Sequence, residues 1–262
     1  MSRISVSKLL TGKRSLILGY DQGMEHGPSV FSIDTVNPEH VLNIALEGNY
    51  NGIVLHHGVA EKYYGKYYSD IPLIIKLNGK SNLARMNPIS RMVCSVDHAA
   101  KLGASAVGYT IYDGSPAEPD MFSDFQKVVE QAHDYGMPVI AWMYPRGPDI
   151  KDELHTDVLA YSARLGLELG ADFVKLKYNY DPPGFDWVVR CAGKTKVLVA
   201  DMENMQDIDF LKKVEEVMKI GACGLAVGRN VWQHAEPLKL SRALRKVIFH
   251  GASAEEAAKE LQ

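Results

Sequence analysis

The chain has 262 residues; 29 basic and 32 acidic side chains leave a net charge of −3, with 46% hydrophobic and 23% charged residues. This is the composition of a soluble folded protein, and a pI near 6.3 gives no basic face or stripe on which nucleic acid would be expected. The length exceeds one average domain, but α/β barrels of about 250 residues close as a single unit, so one large core can hold the whole chain.

The N-terminal stretch MSRISVSKLLTGKRS has neither the apolar run nor the small-residue cleavage site of a secretory signal, and no later run approaches a membrane span. The sequence therefore reads as cytoplasmic, with no membrane partner. Cys94, Cys191 and Cys223 are widely separated and never form a CxxC pair, which argues against a disulfide scaffold or a thiolate zinc site. The nine histidines make no metal signature either; His56 and His57 are neighbours that would face opposite ways if a strand ran through them.

Along the chain, short apolar runs alternate with amphipathic segments. The runs are SLILGYD (15 to 21), GIVLHH (52 to 57), PLIIKLN (72 to 78), ASAVGYTIY (104 to 112), MPVIAWMYP (137 to 145), ADFVKLKY (171 to 178), KVLVA (196 to 200) and GACGLAVGR (221 to 229). Near-continuous apolar strands imply burial on both faces, as in a parallel sheet covered by helices. Helical stretches lie between them: PEHVLNIALEGN, DMFSDFQKVVEQAHDYG, TDVLAYSARLGLELG, DIDFLKKVEEVMKIG and EPLKLSRALRKVIFHG. The segments after the second and third strands are less clearly helical, and GKYYSD and NGKSNLARMNP read as loops. The junctions LGASAV, YGMPVI, LGADFV and IGACGL repeat one helix-Gly-strand turn.

Eight such units predict an α/β fold, a single (β/α)8 TIM barrel spanning residues 1–262, with its active site at the C-terminal strand ends. An open doubly wound sheet is the alternative, but no GxGxxG follows the first strand. No linker divides the chain, and Ser253 three residues before Glu256 predicts a capped terminal helix.

The polar residues at the predicted rim are Asp21, His57, Lys76, Asn78, Tyr112, Trp142, Tyr144, Arg146, Lys175, Lys177, Asp201 and Arg229. Two lysines inside the sixth strand are the oddest of these, because lysine is rarely buried without a partner or a task. Lys175 and Lys177 share a face, as do Trp142, Tyr144 and Arg146 on the fifth strand. If Val174 and Leu176 face the helices, both lysines face the barrel interior. A desolvated lysine beside another cation loses proton affinity and becomes an amine nucleophile for a carbonyl. The alternative is that each lysine pairs with an inward carboxylate such as Asp21. Tyr144 can serve as a core residue or in proton transfer, and Asp21 in turn formation or in the site. After the eighth strand, Gly228 permits close backbone approach and Arg229 supplies a cationic fork where barrels commonly hold phosphate.

The segments LGYDQGMEHGP, GVAEKYY, LIIKLNGK, GASAVGYTIY, WMYPRG, LGADFVKLKY and AVGRNVWQ, in that order from about residue 15 to about residue 245, resemble the archaeal-type class I fructose-1,6-bisphosphate aldolases. The resemblance implies a (β/α)8 barrel and metal-free, cofactor-free carbon–carbon bond chemistry through a lysine Schiff base on a sugar phosphate, in a homo-oligomer. It implies that Lys175 is the imine lysine, Lys177 an accessory cation, Tyr144 the proton-transfer tyrosine and Asp21 the carboxylate near the imine. Trp142 would shape the site, Arg146 would meet the distal phosphate, and Gly228 with Arg229 would form half of the proximal phosphate site.

The chain departs from this family at the seventh strand. A Ser-Gly-Gly turn is expected there, and Ala200, Asp201 and Met202 stand in its place, followed by Glu203. Lost glycines remove close backbone approach, and added carboxylates repel phosphate. A related Schiff-base aldolase or transaldolase for a less phosphorylated sugar, an impaired sugar-phosphate-binding homologue, and a metal-dependent aldolase using Asp201, Glu203 and a rim histidine are the competing readings.

Overall fold

The computed structural model describes residues 4–83, 88–200, 202 and 205–262. Eight parallel strands close a barrel: β1 (Ser15–Gly19), β2 (Gly52–Leu55), β3 (Leu73–Lys76), β4 (Ala106–Ile111), β5 (Val139–Met143), β6 (Phe173–Lys177), β7 (Lys196–Ala200) and β8 (Gly224–Val227). Each pairs with its sequence neighbour, and β8 returns to β1 through Ser15 opposite Gly224. The eight predicted runs are these eight strands.

Helices α1 (Pro38–Glu47), α2 (Val96–Lys101), α3 (Glu118–Asp134), α4 (Thr156–Glu168), α5 (Pro182–Cys191), α6 (Asp207–Ile220) and α7 (Pro237–His250) cover the outside. Their apolar faces and the outward strand residues form one large core that includes Val174 and Leu176. The four repeated junctions all turn on glycines with positive φ, at Gly103, Gly136, Gly170 and Gly221, where a side chain would strain the backbone. Ser253 caps the short helix Ala254–Ala257 by accepting from the Glu256 amide at 3.2 Å, as its spacing predicts. No helix among the described residues is long and apolar enough to cross a membrane.

Three local expectations change. GKYYSD is not a loop at its start: the chain after β2 is helical in three short pieces, His57–Val59, Ala60–Tyr64 and Gly65–Tyr67, which bury Tyr64 and Tyr67. The segment after β3 opens with Asn78–Gly79, paired antiparallel with Arg91–Met92; residues 84–87 lie outside the described residues. Strand β2 stops at Leu55, so His56 and His57 do not alternate across a strand: His56 is buried and His57 begins a helical turn.

Candidate active site

A second, inner core contains one residue from every strand: Ile17, Val54, Ile74, Ala106, Ile140, Phe173, Leu198 and Ala226. Because side chains alternate across a strand, the next inward layer lies two residues further on. That layer reads Gly19, His56, Lys76, Gly108, Trp142, Lys175, Ala200 and Gly228. The layer below is aliphatic and aromatic, whereas this one carries two lysines, a histidine and an indole. Chemistry therefore begins where the apolar filling of the barrel stops.

In strand order Lys175 on β6 and Lys76 on β3 lie to either side of Trp142 on β5. The Lys175 Nζ is 5.5 Å from the indole centroid and the Lys76 Nζ is 5.6 Å from it, within cation–π range. The indole fits because β4 has glycine beside it: a Cβ at Gly108 would fall 2.0 Å from the Trp142 ring. Both lysines are buried, at 5% and 2% exposure. Burial holds the Lys76 amine below the usual lysine range and the charge of Lys175 adds to this, while Asp21 and Glu25 act against it. The ammonium of Lys76 donates to the Asn78 carbonyl at 3.1 Å. Among the described residues no carboxylate forms an ion pair with Lys175, whereas Lys177 pairs with Glu153, so the carboxylate-pairing alternative holds for the second lysine and not for the first.

Beside Lys76, burial pushes the His56 imidazole down to about 4 and the charge of Lys76 pushes the same way, so its neutral form is favoured. Asn78 is structural: its side chain accepts from the Thr110 amide at 2.7 Å and donates to the Thr110 carbonyl at 2.8 Å. Tyr112 is also a packing residue of the outer core, with its hydroxyl 3.4 Å from Glu25.

One step further toward the rim come Tyr144, Arg146 and Lys177. The Tyr144 ring stacks on Tyr112 with centroids 6.4 Å apart, and the Arg146 guanidinium lies 5.4 Å from the Tyr144 ring centroid. The Arg146 amide donates to the Asp113 carbonyl at 2.9 Å, which fixes the start of the loop after β5. Further along the same loop, Glu153 reaches back between the cations. It accepts from Lys177 Nζ at 2.5 Å and from Arg146 Nε at 3.3 Å. Those two cations hold the Glu153 carboxyl below the usual range despite partial burial. Nothing in PDIKDELHT marks Glu153 as a site residue; only the folded loop brings it to Lys177.

Across the barrel, Asp21 follows β1 on a loop fixed by an aromatic cluster. Trp232 donates to the Gly19 carbonyl at 3.0 Å, and Tyr20, Phe31 and Trp232 contact one another. Gly228 is buried, and a Cβ there would meet the Gln22 amide nitrogen at 2.3 Å. Arg229 opens the short helix Arg229–Trp232. Asp201 and Glu203 lie outside the described residues, but their neighbour Met202 is buried and its carbonyl accepts from Asn230 at 3.0 Å.

These side chains surround one depression. A cavity of about 390 Å³ is bounded by Tyr144, Arg146, Glu153, Lys177, Met202 and Arg229, among others. Beneath it a recess of about 40 Å³ reaches Asp21, Lys76, Trp142, Tyr144 and Lys175. Glu25, His26, Tyr144 and Arg229 border both spaces. The arrangement is an amine at the floor, a phenol beside it and cations at the mouth, which suits a carbonyl compound carrying an anionic group.

Residues 15–234 match the model of the DeoC/LacD family aldolase. The chain belongs to that family. It is 46% identical over 241 residues to the class 1 fructose-bisphosphate aldolase of Thermoproteus tenax, covering 91% of this chain and 90% of that one. It is 42% identical to the corresponding aldolase of Halobacterium salinarum, covering 92% and 93%. A solved archaeal fructose-1,6-bisphosphate aldolase, whose catalytic lysine is covalently bound to the carbinolamine intermediate of the substrate, superposes with a TM-score of 0.87. The two are 43% identical, with 92% of this chain and 96% of that one covered. This chain is accordingly an aldolase of the lysine-dependent class, built on the predicted barrel.

Proposed function

We propose that this aldolase reversibly cleaves fructose 1,6-bisphosphate into dihydroxyacetone phosphate and glyceraldehyde 3-phosphate, with Lys175 as the imine-forming amine. The observation that carries the reading is the placement of Lys175: an inward lysine on β6 without a carboxylate partner among the described residues, reached through a cation-rimmed cavity. Its amine adds to the ketose carbonyl, and the resulting carbinolamine takes up a proton and loses water to give a protonated imine. As a base removes the proton of the C4 hydroxyl, the C3–C4 bond breaks and its electron pair flows into the iminium, leaving an enamine. Protonation of that enamine and hydrolysis release the second triose and restore the lysine.

Tyr144, which borders both the recess and the outer cavity, moves the proton at these steps. Asp21 assists imine formation and orients substrate hydroxyls, and Trp142 fixes the lysine through its indole face. Arg146 and Lys177 meet the distal phosphate, and Gly228 with Arg229 the proximal one. A cytoplasmic homo-oligomer is part of the same reading, resting on the likeness to the archaeal aldolases.

A second reading, an aldolase of the same chemistry for a less phosphorylated sugar, draws on two observations. Glu153 already pairs with Arg146 and Lys177, and the glycine turn after β7 is replaced. Triose release from fructose 1,6-bisphosphate, measured beside fructose 1-phosphate and unphosphorylated fructose, separates the two. The bisphosphate should have the highest kcat/KM. Equal or higher values for a sugar lacking a phosphate would replace the first reading with the second.

A further inference from the structure

Away from the lysine site, on the rim formed after β2 and β3, three side chains converge that the aldol reaction does not use. His57 and Glu61 lie four residues apart on the helical turns after β2 and so project on one side. His98 comes from α2, whose first turn is capped by Ser95, and it meets them from the neighbouring segment. The Glu61 Oε1 is 3.3 Å from His57 Nδ1 and 2.6 Å from His98 Nε2, and one ligand atom from each residue lies within 4.8 Å of the others. The two rings are close to perpendicular, with centroids 5.6 Å apart.

We propose that His57, Glu61 and His98 form a zinc site with an open fourth position for water. Zinc bonds to imidazole nitrogen and carboxylate oxygen of about 2.0–2.2 Å place tetrahedral ligand atoms roughly 3.3–3.5 Å apart. The His57 to Glu61 separation already has that length, and a His98 ring nitrogen lies within 4.8 Å of both other ligand atoms. Two imidazoles and one carboxylate are a borderline-soft donor set that suits zinc over magnesium or calcium. All three side chains are roughly two-fifths exposed, which leaves the ion open to solvent. A bound ion would clip the helical turns after β2 to α2. No motif announces the site, since 37 residues separate Glu61 from His98.

The test uses the full-length chain, treated with chelator and dialysed, then titrated with zinc chloride by calorimetry and with cobalt(II) by visible absorption. One zinc per chain should bind, with the intense absorption of four-coordinate cobalt. His57→Gln and His98→Gln should each weaken binding by about tenfold or more, and the double variant should lose the site. Circular dichroism checks that the variants fold; if one does not, Glu61→Gln serves in its place. Absence of zinc binding by the wild type, equal binding by the double variant, or a weak six-coordinate cobalt spectrum would each overturn the proposal.

Discussion

The two sides of the barrel mouth are built differently. On the β5 and β6 side, register alone places Trp142, Tyr144, Lys175 and Lys177 in successive inward layers, and Glu153 joins the resulting cations. On the β7 and β8 side, Gly228 and Arg229 remain in place, but β7 ends at Ala200 and the sequence continues Asp201-Met202 where the glycine turn is expected. In the proposed reading the carbon–carbon chemistry belongs to the first side, and the proximal phosphate to the second. The difference teaches that strand-borne groups are fixed by the sheet, whereas loop-borne groups are free to vary without disturbing it.

That contrast predicts the largest effect on the β5 side. Tyr144→Phe keeps the ring that packs on Tyr112 but removes the hydroxyl. Turnover should fall by about 10² to 10⁴-fold, the usual range for a lost general acid or base, while the imine remains trappable. Wild-type turnover in this variant would make Tyr144 a packing residue.

On the β7 side the effect should be smaller and confined to binding. A carboxylate about 4 Å from a phosphate oxygen is repelled by roughly 4 kcal/mol per unit charge at an effective dielectric near 20, before Arg229 is counted. Replacing Ala200, Asp201 and Met202 by Ser, Gly and Gly should lower KM for fructose 1,6-bisphosphate by about tenfold or more, which corresponds to about 1.4 kcal/mol. It should also sharpen the preference for phosphorylated over unphosphorylated donor. Micromolar binding by the native chain, unchanged by the replacement, would mean that Asp201 points away from the site.

The smallest effect concerns the carboxylate between the two cations. Partly exposed ion pairs contribute at most about 1 kcal/mol each, so freeing Lys177 and Arg146 should act by a factor of about two to five. Glu153→Gln should therefore lower KM for the bisphosphate by that factor, with kcat little changed. A raised KM would show that Glu153 positions the cations instead of competing for them.

Much of the barrel could be read from the residues because its strands are buried on both faces and punctuated by glycine. The inward direction of Lys175 followed from period two once Val174 and Leu176 faced the helices. Helix α5 was harder to see, since its opening Pro182-Pro183-Gly184 resembles a loop, yet proline is tolerated in a first helical turn whose amides have no helical partners. Lys76 appeared only as a rim residue; its place on the far side of Trp142 depends on the pairing of β3 with β4 and β4 with β5. Glu153 and the His57, Glu61 and His98 cluster were beyond reach for a common reason. Their partners are distant in the chain, and no local pattern encodes a contact made by loops from separate βα units.

The central claim is that Lys175, and not the equally buried Lys76 across the indole or Lys177 at the rim, is the amine that bonds to substrate. Borohydride reduction in the presence of dihydroxyacetone phosphate, followed by intact-mass and peptide analysis, tests this directly. One reduced adduct per chain should appear in the peptide containing FVKLK, at Lys175; it should persist in Lys76→Met and disappear in Lys175→Met. An adduct on Lys76 or Lys177, or one that survives in Lys175→Met, would contradict the account.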